Sequence, residues 1–308
     1  PGEQVVVDDV GVCEEHVRRV RSERLPLDLG HVAVEPGRPD RRVALDAGKQ
    51  VVQPAELVII GGAALGGFIV ASPLKVIKAV GGAVARMFTH KPYSKKEYAE
   101  ALMLLNGIFY KIRQQGLVSV ESDVDSPQDS TLFNKYPQIL KNHHAINLIT
   151  DTLRTVMTTT IAPHEMEALI DSELESHHEE GLLPSQSLST VADALPGLGI
   201  VAAVLGVVLT MGKISEPPEV IGHSVGAALV GTFLGVLLCY GYVGPMAKNL
   251  EHIATEDLQY LNVLKVALMA FIGGAAPKVA VEFGRRVIPA NVKPSFTELE
   301  DTFRQAKK

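Results

Sequence analysis

The stretch ALPGLGIVAAVLGVVLTMG, residues Ala194–Gly212, decides the fold: it is apolar or small throughout and holds no Asp, Glu, Lys or Arg. A helix rises about 1.5 Å per residue, so about 20 apolar residues cross a hydrocarbon core of about 30 Å. Ala194–Gly212 meets that requirement, and His223–Ala247 meets it again after a short polar turn. A third charge-free stretch, Leu57–Pro73, stands upstream and is shorter. Small residues recur at one-turn spacing in each: Gly62 and Gly66, then Gly199 with Ala203 and Ala202 with Gly206, then Ala227, Gly231 and Gly235. Such faces let helix backbones approach closely in lipid. They predict a tight bundle and an oligomer.

Lysine and arginine orient the spans. Lys75, Lys78, Arg86, Lys91, Lys95 and Lys96 follow the first, and Lys248, Lys265, Lys278, Arg285 and Arg286 follow the third. Between the second and third stands only Lys213, with Glu216 and Glu219. The positive-inside bias therefore puts residues 74–193 and 248–308 in the cytoplasm and Lys213–Gly222 outside.

The cytoplasmic parts read as helical. Ser94 and Glu97 have the spacing of a capping box, and Tyr98, Ala101, Leu102, Leu105, Ile108, Phe109 and Ile112 follow on one helical face. Gly116 is placed to end that helix. A second helix is expected from about Asn142 to Thr159, with Ile146, Ile149, Leu153, Val156 and Met157 inward. A third is expected from Pro163 to Gly181, with Met166, Leu169, Ile170 and Leu174 inward. The fold class is all-α: a polytopic membrane protein with a large cytoplasmic helical domain. It divides into a charged head (1–52), a transmembrane helix (53–73), a cytoplasmic helical domain (74–193), a transmembrane hairpin (194–247) and a cytoplasmic helical tail (248–308). The head mixes Asp8, Asp9, Glu14, Glu15, Arg18 and Arg19 with scattered Pro and Gly, and reads as weakly structured.

Composition narrows the function. Of the 308 residues 46% are hydrophobic and 21% charged, and the net charge of −6 comes with no basic stripe, so nucleic acid is not an expected partner. Cys13 and Cys239 are too few and too differently placed for a disulfide framework. His143-His144 and the run His164 to Glu180 lack metal-site spacing and read as a charged helix face, so no metal or cofactor is expected. No nucleophile motif or phosphate-binding loop marks an enzyme.

Neither the second span nor the third carries a carboxylate. A cation path usually needs one. Either the chain conducts nothing, or another chain supplies the acid. Thr232 and Tyr240 are the polar side chains deep in the third span, and a lone membrane threonine most often bonds back to its own helix. Pro196 is expected to open the second span in its first turn; Pro245 removes the hydrogen bond to the Gly241 carbonyl and is expected to kink the third. Topology sets the two prolines at similar depth.

Six segments then carry a resemblance: Gln53-Pro-Ala-Glu-Leu-Val-Ile-Ile60, Leu195-Pro-Gly-Leu-Gly-Ile-Val-Ala-Ala203, Gly231-Thr-Phe-Leu-Gly235, Tyr240-Gly-Tyr-Val-Gly-Pro245, Ala280-Val-Glu-Phe-Gly-Arg285 and Lys293-Pro-Ser-Phe-Thr-Glu-Leu-Glu300. Taken in order they resemble the motility protein A (MotA) family of flagellar stator subunits in the bacterial inner membrane. The resemblance implies several copies around the helices of a peptidoglycan-anchored MotB partner, which supplies the ion-binding aspartate. It implies that Pro196 and Pro245 couple ion passage to movement and that Thr232 lies near the ion path. It implies that Arg113 and Glu121, both exposed, meet the rotor protein FliG. Sodium-driven relatives carry threonine where this chain has Ala203, whose methyl cannot replace a hydration shell, so the expected ion is H+. The Ala280–Arg285 motif favours the flagellar branch over an ExbB/TolQ-like energiser of outer-membrane processes. The family begins with an apolar span before Gln53; residues 1–52 depart from it and read like a GC-rich gene in the wrong frame.

Overall fold

A computed structural model describes residues 54–305; the charged head falls outside the described residues. Every regular element among them is helical. In chain order they are α1 (Pro54–Ala71), α2 (Leu74–Met87), α3 (Lys95–Gln115), α4 (Glu121–Asp125), α5 (Pro137–Leu140), α6 (His143–Thr158), α7 (Pro163–Met211) and α8 (Pro218–Leu237). A π-helical segment, Leu238–Val243, then leads into α9 (Gly244–Ile272), α10 (Pro277–Val287) and α11 (Phe296–Gln305).

The helix ends follow local chemistry. The Ser94 carboxylate partner is Glu97, whose Oε2 accepts from the Ser94 N–H at 2.6 Å while the Ser94 hydroxyl accepts from the Glu97 N–H at 3.4 Å. Gly116 ends α3 at φ 86°, a conformation that a side chain would strain. Asn142 caps α6 by accepting from the Ala145 N–H at 3.1 Å.

Two expected boundaries are absent. The helix that begins at Pro163 does not stop at Gly181; α7 runs unbroken to Met211 with Pro184 and Pro196 inside it. Pro196 therefore opens no helix. Each proline forgoes one intrahelical bond and packing retains the helix: Gly181 lies against Ala254, and Pro184 is buried. At Pro245 the expected break is spread over the π-helical segment, where the Gly244 N–H reaches back to the Cys239 carbonyl. The wider turn absorbs the proline, as π-bulges do. The limits at 193/194 and 247/248 accordingly fall inside continuous helices.

Two packed regions result, both threaded by α7. The larger core gathers Leu102, Leu105, Phe109, Ile149, Leu153, Met166, Ile170, Leu264 and Leu268, with Phe109 stacked on Phe271 at 4.2 Å. Leu169, expected inward, is 51% exposed, since Met166 and Ile170 already fill that turn. Lys265 is buried between α9 and α7 and forms ion pairs with Asp171 and Glu167.

The Ala280–Arg285 motif explains itself here. A Cβ on Gly284 would stand 3.0 Å from Ala267 Cβ and 3.0 Å from Leu102 Cδ2, so the glycine lets α10 lie flat on α9 and α3. Glu282 accepts twice from Arg285, at 2.7 Å each, and Arg285 also donates to the Pro294 carbonyl at 3.0 Å. The tail then docks through Glu298, whose carboxylate meets Lys95 at 2.6 Å and caps α11 with Ser295.

Candidate ion pathway and contact surface

The smaller core, Ile60, Ala64, Ala192, Leu195, Ala202 and Cys239, holds α1 against the α7–α8 hairpin. Its geometry comes from glycine. A Cβ on Gly235 would fall 2.6 Å from the Leu195 carbonyl oxygen and 2.9 Å from Gly199 Cα. One on Gly199 would fall 2.8 Å from the Gly231 carbonyl oxygen, and one on Gly206 only 2.7 Å from Ala228 Cβ. The small faces predicted for the second and third spans therefore interlock. Gly62 and Gly66 do not join them: neither has an atom within 4 Å of its Cβ position.

Around this interlock the structure distributes the expected site residues. Ala203 and Thr232 are half-buried at the same level, because the Cβ position of Gly231 lies 3.3 Å from the Ala203 nitrogen and Thr232 follows it. Thr210 bonds back to the Gly206 carbonyl at 2.8 Å, the common habit of a membrane threonine. Thr232 does not: its hydroxyl has no hydrogen-bond partner among the described residues. Pro196 is half-buried one residue after the carbonyl that Gly235 covers, while Pro245 is exposed. Tyr240 is 74% exposed beside buried Cys239. Ile200, Val204, Leu229, Phe233 and Val236 also point outward, an apolar skin around the hairpin.

Glu56 was missed because the charge-free window begins one residue after it, where an acid reads as a helix-dipole partner. Its Oε2 is buried without a hydrogen-bond partner and sits 2.9 Å from the Cβ position of Gly231. Ser185 was missed as well; it donates to the Ala247 carbonyl at 2.8 Å and joins α7 to α9 just past Pro245. One serine in a polar stretch gives no signal for that.

Arg113 lies in the last turn of α3 and Glu121 begins α4, and both are exposed with no ion pair among the described residues. Asp123, buried, fixes this corner by accepting from Lys111 and from the Ser130 hydroxyl, each at 2.6 Å. Between the corner and the hairpin, Asp257 of α9 accepts from Arg86 and from the Tyr93 hydroxyl, each at 2.9 Å. Burial, and then Asp257, push the Tyr93 phenol well above its usual range. His177 meets His144 edge to face at 4.1 Å, and burial, then His144, lower its pKa. Among the described residues no group of three or more His, Cys, Asp or Glu is arranged to hold a metal.

An interlocked hairpin whose two long runs, Ala194–Gly212 and His223–Ala247, hold no Asp, Glu, Lys or Arg, joined to a long helical domain, defines an all-helical protein with two apolar candidate membrane spans. Residues 44–116 match the motility protein A N-terminal family, and residues 141–262 match the MotA/TolQ/ExbB proton channel family. The motility protein A of Salmonella typhimurium is 41% identical over 255 residues, covering 83% of this chain and 86% of that protein. Two solved structures share the fold: the C. jejuni MotAB structure, at TM-score 0.65 and 15% identity over 93% of this chain and 95% of that one; and the flagellar MotAB stator complex of Bacillus subtilis, at TM-score 0.62 and 20% identity over 86% and 95%. The chain belongs to the motility protein A family, the flagellar stator branch of these proton-channel proteins.

Proposed function

We propose that the chain works in the bacterial inner membrane as the stator subunit that, with a MotB-type partner, forms a proton path and transmits its flow as movement. The observation that carries this reading is the α7–α8 interlock: glycine backbones in contact, no carboxylate between Ala194 and Gly212 or between His223 and Ala247, and an apolar exterior. Two described helical runs, Pro163–Met211 and Pro218–Ile272, are long and apolar enough to span a bilayer, and Glu56–Ala71 is a shorter apolar helix. With the lysine and arginine bias, residues 74–193 and 248–308 are cytoplasmic and Lys213–Gly222 is external. The outward apolar faces are then for lipid, further copies of the chain and the partner's helices, and the partner brings the ion-binding acid.

In this reading Thr232, with its free hydroxyl, and Ala203 flank the path, Tyr240 lies on the partner-facing side, and Pro196 and Pro245 make the inner ends of the hairpin compliant. Ala203 offers no oxygen, so the transported ion is H+. The movement passes along α7 and α9, which leave the membrane as unbroken helices, to the corner bearing Arg113 and Glu121, the contact for FliG. Expression with the cognate partner in a swimming bacterium deleted for its own A subunit tests this. Restored swimming is expected. Chains that assemble with the partner in the membrane yet restore none would overturn it.

A further inference from the structure

Glu56 is the ionisable side chain that meets the interlock from α1. Its Oε2 is fully buried, has no hydrogen-bond partner, and occupies the space that a Cβ on Gly231 would need. That glycine is itself buried, so the missing side chain makes room for the carboxyl. A first-turn acid that merely served the helix dipole would turn toward its own N–H groups or water. This one instead faces α8, one residue from Thr232, whose hydroxyl is also unpaired. Intramembrane carboxyls are expensive and mark ion routes when they persist.

We propose that Glu56 is a proton-relaying residue of the subunit itself, in series with the acid of the partner chain; this rests on the channel reading above. The carboxylate takes a proton from hydronium in the outer water, forming the acid and leaving water. The same O–H bond then breaks toward the next acceptor in the path, through the Thr232 hydroxyl or a water beside it, and the carboxylate is restored. Among the described residues no other group competes for that role nearby. Of the helices packed on α1, α7 has no ionisable residue between Ala194 and Met211, with Asp193 the last before it. α8 has only Glu219 and His223, at the opposite end from Leu237, and α1 has no other.

The test uses the full chain assembled with its partner in vesicles loaded with a pH-sensitive dye. Glu56→Gln keeps shape and hydrogen-bonding capacity but cannot exchange a proton, and flux is expected to fall about a hundredfold or more, the low end of what a positioned proton-transfer group contributes. Glu56→Asp keeps the acid and should conduct with a displaced pH midpoint. Wild-type flux and an unchanged pH profile in Glu56→Gln would overturn the relay while leaving the channel reading intact. If Glu56→Gln does not assemble, the pH profile of Glu56→Asp decides: a displaced midpoint supports the relay and an unmoved one overturns it. A wild-type complex that passes no protons overturns the channel reading and the relay with it.

Discussion

Replacing Gly235 with alanine puts one methyl group where there is no room. Its Cβ would lie 2.6 Å from the Leu195 carbonyl oxygen, 2.9 Å from Gly199 Cα and 3.2 Å from Gly199 N, where ordinary contact begins at 3.4 Å. All three neighbours are backbone, so no rotamer change relieves the clash. α7 and α8 must part by most of an ångström, and a gap of about 0.5–1 Å already forfeits a quarter to a half of each dispersion contact along the face. Overpacking of this kind costs about 1–3 kcal/mol, a factor of about 5–150 in the unfolding equilibrium. Gly226→Ala is the matched control, since nothing lies within 4 Å of its Cβ position. Both changes gain up to about 1 kcal/mol of helix propensity, so their difference isolates the clash. Reversible unfolding of the purified chain in detergent measures it: Gly235→Ala should fall well below Gly226→Ala. Equal stability of the two would refute the interlock as the element that holds the hairpin.

Pro245→Ala and Pro196→Ala should each leave membrane assembly intact and abolish swimming, because each restores a helix bond at a compliant end; wild-type swimming in either would reduce them to tolerated prolines. Neutralising Arg113 or Glu121 singly should be mild, as exposed pairs contribute about 0–1 kcal/mol, whereas reversing both should impair torque and be rescued by opposite reversals on the rotor protein; failure of every combination would exclude direct contact. Gly284→Ala should loosen α10, since its Cβ would meet Ala267 Cβ at 3.0 Å and the Val263 carbonyl oxygen at 3.1 Å, and faster amide exchange over Pro277–Val287 would report it. The hydrogen bond from Lys95, then those from Ser295, hold the Glu298 carboxyl at about 2 against an ordinary value of 4.5. A depressed carboxyl stabilises above its ordinary value and loses that contribution as pH falls toward about 2, so amide exchange in Phe296–Gln305 should rise over that interval; no rise, or an identical acid response in Glu298→Gln, would show the contact to be inert.

The class was legible because two different signals stand side by side in the sequence. Charge-free length marked the hairpin, and 3.6-residue apolar spacing marked α3 and α6, where Tyr98, Leu102, Leu105, Phe109, Ile149 and Leu153 are all buried. Caps were legible too, since Ser94 and Gly116 act through neighbours three or four residues away. Helix continuity was not. Pro163–Met211 keeps its course through Pro184 and Pro196 because packing on α8 and α9 outweighs the lost bonds, and a proline alone does not reveal its tertiary support. Among the candidate site residues, the level shared by Ala203 and Thr232 emerges only from the packing of Gly231 against α7. The free Thr232 hydroxyl was not foreseeable, because Thr210 in the same kind of helix bonds back to its own backbone. Glu56 and Ser185 act across helices more than sixty residues apart in sequence for one pair and far more for the other, so only the folded chain shows them.

Proton flux through the assembled complex is the most direct test of the central claim. Vesicles containing this chain, the proposed MotB-type partner, or both would be loaded with a pH-sensitive dye and driven by an imposed potential. Internal acidification is expected only when both chains are present, and is lost when the partner's intramembrane acid is replaced by the amide. Flux from the partner alone that this chain does not raise, or no flux from a correctly assembled pair, would contradict that claim.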